Sequence, residues 1–258
     1  MHDTKVVILA AGQGKRMGAT VPKPLVPIAG KPMISHLLER IRQSGLDEKP
    51  VVIVSVDGRA EFEAQLGDSV DYATQIAQNG TGDALRYAEE ACQGASRIIV
   101  LYGDHPFIGP DVLKQLADLS SKNPGDIAML TATVPNFEGD FSMFIKWGRI
   151  IRAGAAEGHE GVMPVQALRE AKDCSSTELE ITEVNPGIYA FPVPWVFDRL
   201  KDVKNDNASG EYYLTDLIGL GMSEGRKIVT ASVDPLQVVG VNTPDELRKA
   251  EELLSKRL

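Results

Sequence analysis

Six consecutive positions, Val6 to Ala11, are apolar and uninterrupted by charge. A short, continuous run rich in β-branched residues predicts a strand buried on both faces. The same signature recurs at VVIVSV (51–56), more weakly at Tyr72 to Ile76, at RIIVLY (97–102) and at DIAMLTATV (126–134). Helical patterns separate these runs. Residues 32–44, opened by Pro32, place Met33, Leu37, Leu38 and Ile41 on one face. A short helix is expected over 59–66, one from Thr81 as N-cap through Cys92, and one from Pro110 to about Ser120. Strand alternating with helix implies an α/β fold with a doubly wound, mostly parallel sheet.

The pattern changes after Pro135. Segments 141–153 and 162–170 read as strands of an inserted small β region, joined by the loop AGAAEGHEG. A strand at Gly187 to Phe191 then leads to helices at about 194–201 and 211–223 and a strand at 227–233. The last helix opens at Thr243-Pro244-Asp245-Glu246, which supplies an N-cap, a proline at the first helical position and a glutamate placed to close a capping box. With no repeat or linker visible, residues 1–258 read as one domain carrying an insertion at about 136–186.

Charge alters this picture at one place. The 258 residues carry 27 Lys+Arg against 36 Asp+Glu, a formal net charge of −9. That balance argues against a dedicated nucleic-acid binder. Yet the first 36 residues hold five basic side chains against one acid, Asp3. Four of the five, Lys15, Arg16, Lys23 and Lys31, surround the glycines Gly12, Gly14 and Gly18. A positive, glycine-rich turn on an acidic chain suits a small polyanion such as a nucleoside triphosphate. The two cysteines, Cys92 and Cys174, form no disulfide framework, and no His/Cys cluster suggests zinc. The apolar run at 6–11 is too short for a signal peptide, and no segment reaches membrane-span length. A cytoplasmic protein with no membrane partner is the expectation.

The glycine turn fits neither of two familiar phosphate motifs. For G-x-G-x-x-G, the third glycine comes one residue late, with Met17 in its place. For the Walker pattern, Pro32 follows Gly30-Lys31 and Leu25 stands where the first glycine belongs. What remains is a turn whose small residues let backbone N–H groups approach phosphates, with Arg16 and Lys23 adding charge-assisted bonds. Asp104 lies just past the strand 97–102, where open α/β sheets bind ligands. A carboxylate there suits Mg²⁺ that keeps most of its waters and bridges phosphates; the plain alternative is a turn aspartate. In QIAQNGTGDA (75–84), Gln75 and the G-T-G turn could meet a base edge through an amide that donates and accepts, or could simply cap a helix.

The segments LAAGQGKRMG with PKPL, QNGTGDA, YGDHPF, ITEVNPGIYAF, NDNASGEYYLTD and GVN together resemble the uridylyltransferase domain of the N-acetylglucosamine-1-phosphate uridylyltransferase family. They run in the family's order from residue 8 to 242. The resemblance implies a Rossmann-like fold of the nucleotide-diphospho-sugar transferase type. It implies that Leu9, Ala10, Ala11, Gly12, Gln75, Gly80, Thr81, Tyr102 and Gly103 hold the uridine nucleotide. Arg16 and Lys23 would carry catalysis by binding and neutralising the triphosphate, and Asp104 and Asn242 would hold Mg²⁺. WGRIIR and REAKD match two further family runs, which implies Gly148, Glu170 and Asn185 at the sugar. The implied substrates are UTP and a sugar 1-phosphate.

Three departures from the family cluster on the sugar side. DFSMFIK precedes WGRIIR as an extra stretch, the loop to REAKD is longer, and Pro186 replaces the usual threonine or serine after Asn185. The resemblance therefore speaks more firmly for the nucleotide than for the sugar. The family's bifunctional members continue into an acetyltransferase β-helix; these 258 residues hold no hexapeptide repeats, so that activity is not expected of them. The expected reaction joins N-acetylglucosamine 1-phosphate to UTP with release of pyrophosphate. Alternatives are another sugar phosphate, CTP or dTTP as donor, a silent nucleotide-sugar sensor, or a dinucleotide oxidoreductase. Trp147 and Trp195 read as packing groups, and His105 as a loop residue beside the site.

Overall fold

The computed structural model describes residues 3–12, 14, 17–18, 20–154, 163–207 and 209–255. Lys15, Arg16 and most of the AGAAEGHEG segment lie outside them. Among the described residues ten strands form one sheet: β1 (Thr4–Leu9), β2 (Val51–Ser55), β3 (Asp71–Gln75), β4 (Arg97–Tyr102), β5 (Ile127–Thr133), β6 (Gly148–Arg152), β7 (Val165–Arg169), β8 (Glu183–Asn185), β9 (Tyr189–Pro192) and β10 (Ile228–Val233). The helices are α1 (Met33–Ser44), α2 (Arg59–Leu66), α3 (Thr81–Arg86), α4 (Pro110–Lys122), α5 (Ser176–Leu179), α6 (Val193–Leu200), α7 (Asp216–Ser223) and α8 (Pro244–Ser255). None is long and apolar enough to cross a membrane.

β1 sits between β2 and β4 and pairs with both in parallel. Its successive side chains enter opposite layers, as the two-residue period of a strand requires. Val6 and Ile8 join Ile34, Leu37 and Ile41 of α1 and Leu113 and Leu116 of α4. Val7 and Leu9 join Leu85 of α3, Val196 of α6 and Leu217 of α7. The result is the expected three-layer, mostly parallel α/β fold. α1 ends at Gly45, whose φ of 70° is the left-handed conformation that stops a helix.

From β1 the chain steps outward to β2 and β3, then crosses to the other side of β1 to form β4. That reversal opens a crevice beyond the carboxyl ends of β1 and β4, where ligands bind in sheets of this kind. β9 runs antiparallel between β4 and β5, the β8–β5, β8–β6 and β6–β7 pairings are antiparallel as well, and β10 takes the far edge of β5 in parallel. Residues 183–192 follow one edge of β5 but break at Pro186-Gly187, where Gly187 has φ 77°. The break lets β8 turn to β6, which pairs with β7.

Several expected elements differ. Residues 139–146 form a 3₁₀ helix, not a strand. Phe141, Phe144 and Trp147 recur every third residue, the spacing that aligns side chains on such a helix, and their rings follow one another at 6.3 and 4.7 Å. α3 stops at Arg86, with a separate 3₁₀ turn at Glu90–Cys92. Gly80, not Thr81, is its N-cap. α7 starts at Asp216, because residues 211–214 run extended across the G-T-G turn, exchanging Tyr212 N to Asn79 O and Gly82 N to Tyr212 O bonds of 2.8 Å each. At α8, Thr243 Oγ1 accepts from the Glu246 amide at 3.2 Å, but the Glu246 carboxylate accepts from Asn242 N at 2.6 Å and so fixes the Asn242 backbone.

Candidate active site

The crevice contains a cavity of ≈ 610 Å³. Leu9, Ala10, Ala11 and Gly12 form one wall, and Gln75, Gly80 and Thr81 the opposite one. Lys23, Tyr102 and Asp104 close its inner end. Small residues follow β1 because the chain must turn at once: Ala10 N still bonds Ile53 O at 2.9 Å, and Gly14 already has φ 57°. A Cβ on Gly14 would lie 2.7 Å from Lys23 Cβ, so the glycine sets where the lysine stem runs. Gly80 is equally constrained, with φ 115°, and a Cβ added to it would lie only 2.6 Å from Tyr212 O. Thr81 Oγ1 accepts from Leu214 N at 3.0 Å and ties the G-T-G turn to the EYYL run.

Gln75 is buried and spends its amide hydrogens inward, on Gly80 O at 3.2 Å and Asp83 Oδ2 at 2.9 Å. A carboxylate only accepts, so Asp83 dictates which end of the amide faces it. What Gln75 can offer a ligand is its carbonyl oxygen, an acceptor rather than the donor–acceptor pair expected above.

At the inner end, the Lys23 ammonium donates to Asp104 Oδ2 and, at 2.9 Å, to Asn242 Oδ1. Residues 23, 104 and 242 thus meet on one cation. Two backbone features place them: Val241 N donates to Asp104 O at 3.0 Å, and Gly240 leaves room for His105, whose Nε2 would be 2.7 Å from an added Cβ. Burial alone would raise the Asp104 carboxyl, but the Lys23 charge and hydrogen bond hold it below the usual carboxylate value. His105 is buried against Tyr102 and its Nδ1 has no partner among the described residues. Burial lowers its imidazole.

A second cavity of ≈ 320 Å³ shares Tyr102 and Asp104 with the first. Trp147, Gly148, Glu170, Asn185, Thr215 and Asn242 line it. Asn185 accepts from Gly187 N at 3.0 Å and donates to Tyr189 Oη at 2.6 Å, which holds the Pro186-Gly187 break open beside the cavity. Gly148 stands opposite Asn185 in the β6–β8 register, and a Cβ there would be 3.1 Å from Arg169 O. Burial raises the Glu170 carboxyl, opposed by a bond from Thr215 and the Lys172 charge. Burial likewise pushes the Tyr102 phenol up, so it stays protonated.

Every described residue given a nucleotide, sugar, metal or catalytic role from the sequence borders one of these cavities except Gly103, whereas Gly18 and Lys31 of the glycine-turn cluster line neither and Lys31 pairs with Glu39. Gly103 lies beneath Pro24, 3.0 Å from an added Cβ, and its N–H donates to Leu9 O at 3.0 Å, so it supports the wall from behind. Arg16 lies outside the described residues. Sequence reading passed over Gln78, which donates to Ala11 O at 2.6 Å, and Glu211, Lys146 and Thr215. Gln78 and Glu211 belong to motifs already recognised, and Lys146 precedes WGRIIR, so position alone was the available signal.

Residues 6–174 match the MobA-like NTP transferase domain. The chain belongs to this family. It is 36% identical over 253 residues to the bifunctional protein GlmU of Clostridium beijerinckii, and 38% identical over 266 residues to that of Paracidovorax citrulli. Those alignments take in 98% and 100% of the chain but 52% of each relative, so the chain spans about half the length of the curated relatives it matches. A UDP-glucose pyrophosphorylase complexed with UDP-glucose shares the fold of this NTP transferase domain, with a TM-score of 0.76 at 21% identity, covering 99% of both chains.

Proposed function

We propose that the chain transfers a uridylyl group from UTP to a sugar 1-phosphate, with N-acetylglucosamine 1-phosphate as the preferred acceptor, and releases pyrophosphate. The observation that carries this reading is the junction of two cavities at Asp104 and Tyr102, one walled by the glycine turn and one by Glu170 and Asn185. Such a pair seats a donor and an acceptor with their phosphates at a shared end. Gln75 favours uracil: its free acceptor suits an N3–H donor, whereas cytosine presents an unprotonated N3.

The acceptor phosphate oxygen attacks the α-phosphorus of UTP. A P–O bond forms there, the bond from α-phosphorus to the bridging oxygen breaks, and pyrophosphate leaves with that electron pair. The attacking phosphate is already ionised, so no general base is needed. The protein contributes alignment and charge neutralisation. Lys23 would meet the departing β- and γ-phosphates, and Arg16 would act with it. Tyr102, protonated and partly buried, stands at the boundary between the two substrates.

The residues present fit Mg²⁺. Asp104 and Asn242 supply two hard oxygens that already converge on one cation, the Lys23 ammonium. So small a protein donor set is usual for an ion that keeps waters and takes phosphate oxygens. Bound there, Mg²⁺ would neutralise and orient the phosphates of both substrates.

The test is a pyrophosphate-release panel pairing UTP, dTTP and CTP with several sugar 1-phosphates. The reading predicts highest kcat/KM for UTP with N-acetylglucosamine 1-phosphate. A clear preference for CTP would refute the role of Gln75, and a preference for another sugar would reassign the acceptor cavity.

A further inference from the structure

One cation bordering the second cavity has no role in the mechanism above. Lys146 ends the 3₁₀ helix 139–146. It borders the sugar-side cavity, a neighbouring space of ≈ 310 Å³ shared with Thr81 and Tyr213, and the groove toward α8. Its ammonium makes no hydrogen bond or ion pair with another described residue.

Its backbone is firmly held. Arg149, fully buried, donates to the carbonyls on both sides of it, Trp147 O and Ile145 O, the latter at 3.1 Å. The same guanidinium reaches Leu179 O at 3.3 Å and lies 4.5 Å from the centre of the Phe137 ring. Lys146 is therefore anchored at the cavity mouth with only its own side chain free to move.

The charge around it is one-sided. Two carboxylates, Asp104 and Glu170, line the sugar-side cavity, and among its described lining residues Lys146 is the one lysine or arginine. Lys23 is turned to Asp104 and Asn242, and Lys172 to the hydroxyls of Ser209 and Tyr213. A sugar 1-phosphate brings a phosphate with a charge of about −1.5 to −2. Placing it near two carboxylates is unfavourable unless a cation meets it.

We propose that Lys146 binds the phosphate of the incoming sugar 1-phosphate and guides it to the junction. This rests on the reading of the chain as a sugar-1-phosphate uridylyltransferase. It gives a function to the stretch DFSMFIK, which departs from the family pattern.

The experiment compares the native chain with Lys146→Ala and Lys146→Arg. Calorimetry without UTP follows N-acetylglucosamine 1-phosphate and, in parallel, neutral N-acetylglucosamine; steady-state kinetics follow both substrates. Loss of one charge-assisted hydrogen bond predicts about tenfold or more weaker sugar-phosphate binding in Lys146→Ala. The KM for sugar phosphate should rise more than kcat falls, the KM for UTP should stay, arginine should restore binding, and the neutral sugar should bind all three alike. Equal binding of sugar phosphate by native and Lys146→Ala proteins overturns the proposal. So does equal weakening of the neutral sugar, or failure of the native chain to bind the sugar phosphate. Lys146-dependent binding without pyrophosphate release supports the proposal and removes the transfer reaction instead.

Discussion

Replacing Lys23 with methionine keeps the length of the stem that packs beside Gly14 and removes the charge between Asp104 and Asn242. Asp104 is 8% exposed, so without a bound cation its carboxylate is left buried and uncompensated. Breaking a buried ion pair from one side costs about 3–5 kcal/mol. The Lys23 side chain is 16% exposed, which lets some water reach the gap and favours the lower figure. A loss of about 3 kcal/mol corresponds to a fall of roughly 6–12 °C in thermal midpoint for a chain of this size. The assay is a thermal melt without Mg²⁺ of four proteins: native, Lys23→Met, Asp104→Asn and the double variant. If the cost is the stranded carboxylate, the double variant melts higher than Lys23→Met, because asparagine carries no charge to strand. Adding Mg²⁺ should raise the midpoint of Lys23→Met more than that of the native protein, since the two oxygens no longer hold an ammonium. A Lys23→Met midpoint within about 2 °C of native, or strictly additive effects in the double variant, would refute the reasoning.

Gly14→Ala places a Cβ in a left-handed conformation and against Lys23, so turnover should fall about tenfold or more through misplacement of the lysine, read as kcat/KM in the pyrophosphate assay. Glu170→Gln tests the raised Glu170 carboxyl. A raised folded pKa contributes stability below the usual glutamate value that is lost as pH rises through the folded one, so the variant should melt level with native near pH 4 and above it at pH 7 to 8, while binding sugar phosphate less well. Arg149→Met strands the carbonyls of Ile145, Trp147 and Leu179 and should cost about 3 kcal/mol or more, with a red shift of Trp147 fluorescence showing that the 139–147 segment has loosened.

The strands flanking the crevice were legible because each is a continuous apolar run, and the C-terminal position of Asp104 followed directly from one of them. The glycine turn was legible for the same reason: few roles suit glycines among cations just past a strand. What escaped was decided by partners distant in sequence. Thr81 looks like a helix cap locally, yet Leu214 claims its hydroxyl. Residues 211–214 have helical composition but lie along the G-T-G turn. The period-three aromatics of 139–147 imitate a strand until the 3₁₀ winding is seen. The orientation of Gln75 depends on Asp83, eight residues away, and no one-dimensional pattern reports an amide's direction.

The Lys23 contacts span 81 residues to Asp104 and 219 to Asn242. Closing a longer loop adds little to its equilibrium cost, since the entropic penalty grows only with the logarithm of length. The kinetic consequence is larger, because contacts this far apart form late in folding. A chain growing on the ribosome can build β1, β4 and the wall of the nucleotide cavity while Asn242 is still unsynthesised. Its lysine–aspartate pair then stands without the amide that completes it. The Lys23–Asp104–Asn242 centre is thus completed only after β1 and β4 are in place, and appearance of activity during refolding would time the docking of the segment before α8.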